Sequence, residues 1–266
     1  LSHLSGLKQS DVRILRKKQN RLRESAFLTA KAALNMSRQA ARALASTLIF
    51  AQEAAGTAVC IDSRGWILTC AHCFGETAEE WNAERLKWLL YYNGLAVQVE
   101  CRVWDERRDL ALAKIVRMEI LNSQCRDFTT PVFTCVPVSE TMSISSPIFC
   151  IGQPGADDLE SASPRKTAYD LVELSQGRLC GMIAGADPQD NSVIGTLKHN
   201  AWTYWGHSGA PLLRRSDCAL LGLHSSWDDA TAMRHGVPLV AIRAFVREHL
   251  PAEPVDLTSA EAPDDV

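Results

Sequence analysis

The sequence predicts an all-β architecture, sandwich or barrel, carried behind a long helix. Short β-prone runs recur along it with turn-forming residues between them. One run, from Ala96 to Trp104, sets Val97, Val99, Cys101 and Val103 on a single face, the period-two pattern of a strand. The stretch from Val12 to Phe50, by contrast, has no Gly or Pro and is rich in Ala, Leu, Arg and Lys, a composition that favours helix.

That helical stretch repeats Phe27, Leu34, Ala41 and Leu48 at intervals of seven, one apolar stripe. Such a stripe suits docking on the next domain or pairing with a second copy of the chain. The same segment carries Arg13, Arg16, Lys17, Lys18, Arg21 and Arg23 against Glu24 alone. A charge run of this kind is usually a solvated face; a nuclear signal, a nucleic-acid contact or a targeting remnant are the alternatives.

After Gly56 the pattern changes. Thr57–Ile61 and Trp66–Thr69 flank the turn composition Asp62-Ser63-Arg64-Gly65 and read as a hairpin. Glu79–Tyr92 reads as a helical insertion. Further strands are expected over Leu110–Ile115, Val132–Val138, Ile148–Ile151, Leu171–Leu174, Gly177–Ile183, Ala210–Leu213 and Leu220–His224. Val240–Leu250 reads as a short terminal helix, and the acidic, Pro-containing tail beyond Pro251 as disordered.

Composition narrows the function classes. With 266 residues, 46% of them hydrophobic, the chain can bury a large core. A net charge of -3 gives no global case for nucleic acid or an anionic membrane. No run of 18 apolar residues occurs, so no membrane span is expected. The chain begins at Leu1, and a missing leader therefore says little about the parent protein. The nine cysteines are odd in number and sit mostly inside apolar runs such as Pro147–Ile151, which points to a reducing, intracellular compartment.

Three segments carry chemistry, in the order His, Asp, Ser. Trp66-Ile67-Leu68-Thr69-Cys70-Ala71-His72-Cys73 puts a histidine just past an apolar strand. Arg108-Asp109-Leu110-Ala111-Leu112 puts an acid at the mouth of a buried strand, and Gly206-His207-Ser208-Gly209-Ala210-Pro211-Leu212 sets a serine between glycines before another. A serine hydroxyl needs a base within hydrogen-bond reach to become a nucleophile. Imidazole can take that proton and return it to a leaving amine, because its pKa lies near neutrality. A carboxylate fixes the imidazole tautomer, and glycines let backbone N–H groups converge on one oxyanion. Singly, each element has a dull explanation as a strand cap or a turn. Their joint occurrence is the signal. Cys70, His72 and Cys73 offer zinc-type donors, but no second Cys-x-x-Cys or His pair completes a site, and no metal or cofactor is expected.

These segments resemble the trypsin-like peptidase superfamily over roughly Gly56 to Leu250, and within it the HtrA/Deg and related intracellular branches. Phe149-Cys150-Ile151-Gly152-Gln153-Pro154-Gly155 is similar to the strand and Gly-x-Pro turn that open the family's second barrel. The resemblance implies two packed antiparallel β-barrels of the chymotrypsin-like fold, about 53–138 and 139–240 within a domain of 53–251. They would stand between a basic helical segment 1–52 and the tail 252–266. It implies a serine endopeptidase acting on polypeptides, with His72, Asp109 and Ser208 catalytic, and Asp105 the nearest alternative acid. The oxyanion hole would use Gly206 and Ser208, helped by His207. The substrate pocket would use Trp202, Thr203, Tyr204, His224, Ser225 and Ser226. No acid occurs in those pocket segments, so a small or apolar side chain is expected before the cut.

Two departures stand out. His207 lies where digestive relatives carry an Asp that pairs with a new N-terminus, so the loop around Ser208 must be ordered by a partner, by oligomerisation or by the N-terminal helix. Cys73 lies where secreted relatives have a disulfide cysteine, but the partner place holds Thr57, with Cys60 the alternative. A protease-like module that binds peptides without turnover, and a nucleic-acid adaptor built on the basic helix, are the competing functions.

Overall fold

The structure is a computed structural model that describes residues 7–51, 56–119, 132–159 and 161–252. Two closed six-stranded antiparallel barrels stand side by side. The first half of the chain contributes α1 (Gln9–Met36), α2 (Arg38–Ser46), β1 (Thr47–Phe50), β2 (Thr57–Asp62), β3 (Trp66–Thr69), a 3-10 turn (Ala71–Cys73), α3 (Ala78–Ala83), β4 (Leu86–Tyr91), β5 (Ala96–Asp105) and β6 (Leu110–Met118). The second contributes β7 (Pro147–Gly152), β8 (Glu173–Met182), β9 (Leu197–His199), β10 (Pro211–Arg214), β11 (Leu220–Asp228), β12 (Met233–Pro238) and α4 (Leu239–His249). The strands close in the orders β1-β2-β3-β6-β5-β4 and β10-β11-β12-β9-β8-β7.

Period-two geometry sends alternate side chains of one strand into different cores. In β2, Ala58 and Cys60 fill the first barrel, while Val59 and Ile61 turn to the seam between barrels. β6 does the same with Ala111 and Ala113 inward and Leu110 and Leu112 at the seam. The second barrel meets that seam with Phe149, Ile151, Leu213 and Leu223, and α4 seals it with Ile242 and Phe245. A further apolar cluster lies on the outer face of the first barrel. There Leu15 and Leu22 of α1 pack on Ile49, Trp88 and Leu90.

Several expectations need correction. The helix does not run to Phe50. It breaks at Ser37, whose hydroxyl caps α2 by accepting the Ala40 N–H at 2.9 Å, and Thr47–Phe50 is the first barrel strand. The first barrel therefore starts at Thr47, not near 53. The heptad stripe is not one docked face: Phe27 is 74% and Leu34 59% exposed, while Leu48 lies inside the barrel. Helix covers only Ala78–Ala83 of the expected insertion, and Leu86–Tyr91 is strand. Residues 132–138 form no strand, only an isolated bridge from Val138 to Leu220. Leu171–Leu174 and Gly177–Ile183 fall largely within the single strand β8, and β9 and β12 were not expected.

The tail beyond 252 and Cys125 lie outside the described residues. The other eight cysteines are unpaired, so the Cys60–Cys73 bridge does not form. Among the described residues no helix is long and apolar enough to cross a membrane.

Candidate active site

His72 sits in the 3-10 turn that follows β3. The turn is held by the Trp104 indole N–H, which donates to Ala71 O at 3.0 Å, and Trp104 is itself stacked on Trp81. Asp109 precedes β6 with φ +51°, a left-handed conformation that Asp tolerates better than most residues. This bend brings its carboxylate onto the histidine. Oδ1 accepts from the His72 backbone N–H at 3.2 Å and lies 2.9 Å from Nδ1, with Oδ2 at 3.1 Å. Nδ1 therefore carries the proton, which leaves Nε2 as the basic nitrogen. Burial opposes protonation of the ring. The Asp109 hydrogen bond and charge, with the charge of Glu76, outweigh it and hold the His72 pKa above the ordinary histidine value. Asp105, the alternative acid, is instead engaged by Arg108.

Ser208 occupies the loop before β10, and with His72 it lines a cleft of about 670 Å³. In this conformation its Oγ donates to Ser225 O at 3.4 Å and makes no hydrogen bond to the His72 ring. Gly209 has φ +81°, and a Cβ there would collide with Thr57 O and Thr69 Oγ1, so only glycine fits beside the serine. The carbonyls of Gly206 and Ser208 are held by the Gly56 N–H at 2.9 Å and the Thr57 N–H at 2.8 Å. Their own N–H groups have no partner among the described residues and are free to meet an oxyanion.

The backbone N–H of His207 donates to Tyr204 O at 3.1 Å, so His207 supplies no third oxyanion donor as expected from sequence. Its ring is buried, with Nδ1 3.0 Å from Tyr204 O. Behind the serine, His199 Nε2 and His224 Nδ1 lie 3.0 Å apart in the second barrel. Burial pushes His199 down to about 3 and His207 to about 4, and His224 lies well below its ordinary value for the same reason. These three imidazoles are neutral.

Of the sequence-selected pocket residues, Ser225 and Ser226 line a recess of about 240 Å³ that also holds His72 and Asp109. Trp202 and Tyr204 instead stack in parallel behind the loop with centroids 6.5 Å apart, and Thr203 is buried. Sequence reasoning missed Trp205 and the acids Glu76, Glu80 and Glu84, which line the larger cleft. A readable signal existed for Trp205, since it directly precedes Gly206 of the serine loop. The acids sit in a segment whose fold only the barrel decides.

Cys70 Sγ lies with the His72 and Asp109 donor atoms, all within 4.8 Å of one another. Burial first, and then the Asp109 charge, raise the Cys70 thiol well above its usual pKa. Cys73, the other donor considered, is also pushed up by burial, to about 12.

Residues 56–223, more than half of the chain, match the trypsin-like peptidase domain family. The chain belongs to that family. Membership places it among serine-type hydrolases. This peptidase also resembles a solved structure, the serine endoprotease from Yersinia pestis, with TM-score 0.52 and 18% identity. The likeness covers 79% of this chain and 64% of that one, and it bears on fold alone. Comparison with curated proteins finds no match.

Proposed function

We propose that this peptidase is a serine endopeptidase that cleaves polypeptides through an acyl-enzyme on Ser208. The observation that carries the reading is the two-oxygen grip of Asp109 on His72 Nδ1, with Ser208 lining the same cleft. His72 Nε2 removes the Ser208 proton as Oγ attacks the peptide carbonyl. The amides of Gly206 and Ser208 receive the oxyanion, and each such donor lowers the barrier by about 3–4 kcal/mol. The imidazolium, stabilised by Asp109, protonates the leaving amine; water then repeats the sequence and frees the acyl group. A small or apolar side chain before the cut is expected because residues 202–204 and 223–227 carry no acid; His199, His207 and His224 are held neutral by burial, with the Arg234 charge acting in the same sense. A reducing, intracellular setting belongs to the same proposal. It rests on thiols such as Cys60, Cys101 and Cys150, buried as small apolar side chains.

One observation favours a second reading, a peptide-binding module that is inactive or active only on demand: the Ser208 hydroxyl faces Ser225 O rather than the imidazole. Catalytic hydrogen bonds are often unmade before substrate arrives, and a rotation about one side-chain bond redirects Oγ. A fluorophosphonate probe separates the two readings. Labelling that Ser208→Ala abolishes is expected; a folded protein that binds peptides yet never labels would replace the first reading with the second.

A further inference from the structure

We propose that Lys18 of α1 is a positioning residue for the oxyanion loop, its buried ammonium ordering Phe50 and Gln153 where they converge on Gly56. The inference rests on the peptidase reading above and deepens it.

Lys17, its neighbour, is exposed, and the part-exposed Arg16 and Arg23 reach the more buried Glu119. Lys18 turns inward and is 8% exposed. A buried ammonium is costly unless its protons find acceptors. Here it donates to Phe50 O at 2.8 Å and to Gln153 Oε1 at 2.9 Å. Because an ammonium only donates, it decides which way the Gln153 amide faces: Oε1 must point at Lys18, so Nε2 points at Gly56 O, 3.5 Å away. Gly56 O also accepts the Phe50 N–H at 3.1 Å, and the Gln153 N–H donates to Thr57 Oγ1 at 3.0 Å. Phe50 and Gln153, both gripped by Lys18, thus both bond Gly56, and Gln153 also bonds Thr57.

From there the link to the site is direct. The N–H groups of Gly56 and Thr57 hold the carbonyls of Gly206 and Ser208. Those are the residues whose own amides remain open for the oxyanion. Gly56 has φ +108°, and a Cβ on it would press on the Phe50 ring, so only glycine fits where Phe50 and Gln153 converge. Docking of α1 is a separate matter, supplied by Leu15 and Leu22 against Ile49, Trp88 and Leu90. The ammonium is therefore not explained by helix attachment.

The test measures phosphonylation by a fluorophosphonate probe, separating maximal rate from half-saturating concentration. Lys18→Met keeps the apolar stem and removes the charge. A fall in maximal rate of about 10- to 100-fold is expected, with the half-saturating concentration nearly unchanged, since misplaced donors act on the transition state. Lys17→Met, the same charge change on the exposed face, is expected to match wild type. Gln153→Glu covers the case in which Lys18→Met fails to fold. It strengthens the pairing with Lys18 but removes the Nε2 donor to Gly56, so a merely structural role predicts no rate loss and a positioning role predicts one. Ethylammonium added to Lys18→Ala is expected to restore part of the rate. A folded Lys18→Met or Gln153→Glu variant that labels as fast as wild type overturns the inference. If wild type itself never labels, the peptidase reading has failed instead.

Discussion

At the scale of single residues, Asp109 is held to its place twice over, by a left-handed backbone and by two bonds to His72. Asn is another residue that tolerates that backbone. Asp109→Asn therefore isolates the charge and tautomer effect from the fold. It is expected to lower kcat by about four orders of magnitude while circular dichroism stays unchanged; near wild-type rates would assign the acid role elsewhere. The raised pKa of His72 has its own signature, because the base must be neutral to act. The rate against pH is expected to rise along a limb centred above 6.5, the ordinary histidine value. Glu76→Gln removes one of the charges that raise it, so the limb should move to lower pH. A limb that stays put in that variant would remove Glu76 from the account. The linkage to stability has the opposite sense: protonated His72 stabilises the fold below about 6.5, and that contribution is lost as pH rises through the folded value.

At the scale of elements, legibility depended on how many faces a strand buries. β5 announced itself because its alternation is visible in the letters. β4 did not. Leu89 and Tyr91 enter the barrel while Trp88 and Leu90 lie under α1, so both faces are apolar and alternation disappears. With helix-forming Glu and Ala just before it, the run reads as helix continued. β1 was lost for the same reason, since Leu48 and Phe50 face inward and Ile49 faces α1. In the second barrel, β9 and β11 bury His199 and His224 beside His207 of the serine loop. Folded-state pKa values below the unfolded 6.5 mean that the unfolded chain takes up protons first as pH falls. Stability is thus present above 6.5 and lost as pH drops toward 4 and then 3. Melting temperatures between pH 7 and 4 should show this loss, and His199→Asn should flatten it. An equally steep profile in that variant would point to other groups.

At the scale of the whole molecule, the largest apolar cluster belongs to neither barrel but to the seam between them. Shared burial of this kind ties the two barrels into one cooperative unit, and it also fixes the cleft that His72 and Ser208 both line. Phe149 is almost fully buried at that seam. Phe149→Ala is expected to cost about 3–5 kcal/mol and to shift a single denaturation transition seen by probes in either half. Two separated transitions would mean that the barrels melt independently. The Arg108–Glu248 pair adds a link from the turn beside Asp109 to α4, at 2.8 Å and partly exposed, worth little by itself.

Serine-type hydrolase chemistry was legible in the letters. Histidine, acid and serine each stood beside an apolar strand, in residue types whose hydrogen-bonding roles are local and therefore readable. The sequence also determined that the chain is mostly short strands behind a helix. Contacts distant in the chain, by contrast, became visible in the folded molecule alone. Lys18 reads as one cation in a solvated run until Gln153 and Phe50 are seen to surround it. A residue's type is written in one letter, but its partners are fixed by tertiary contacts, such as the one joining Lys18 to Gln153 across 135 positions, which leave no local trace.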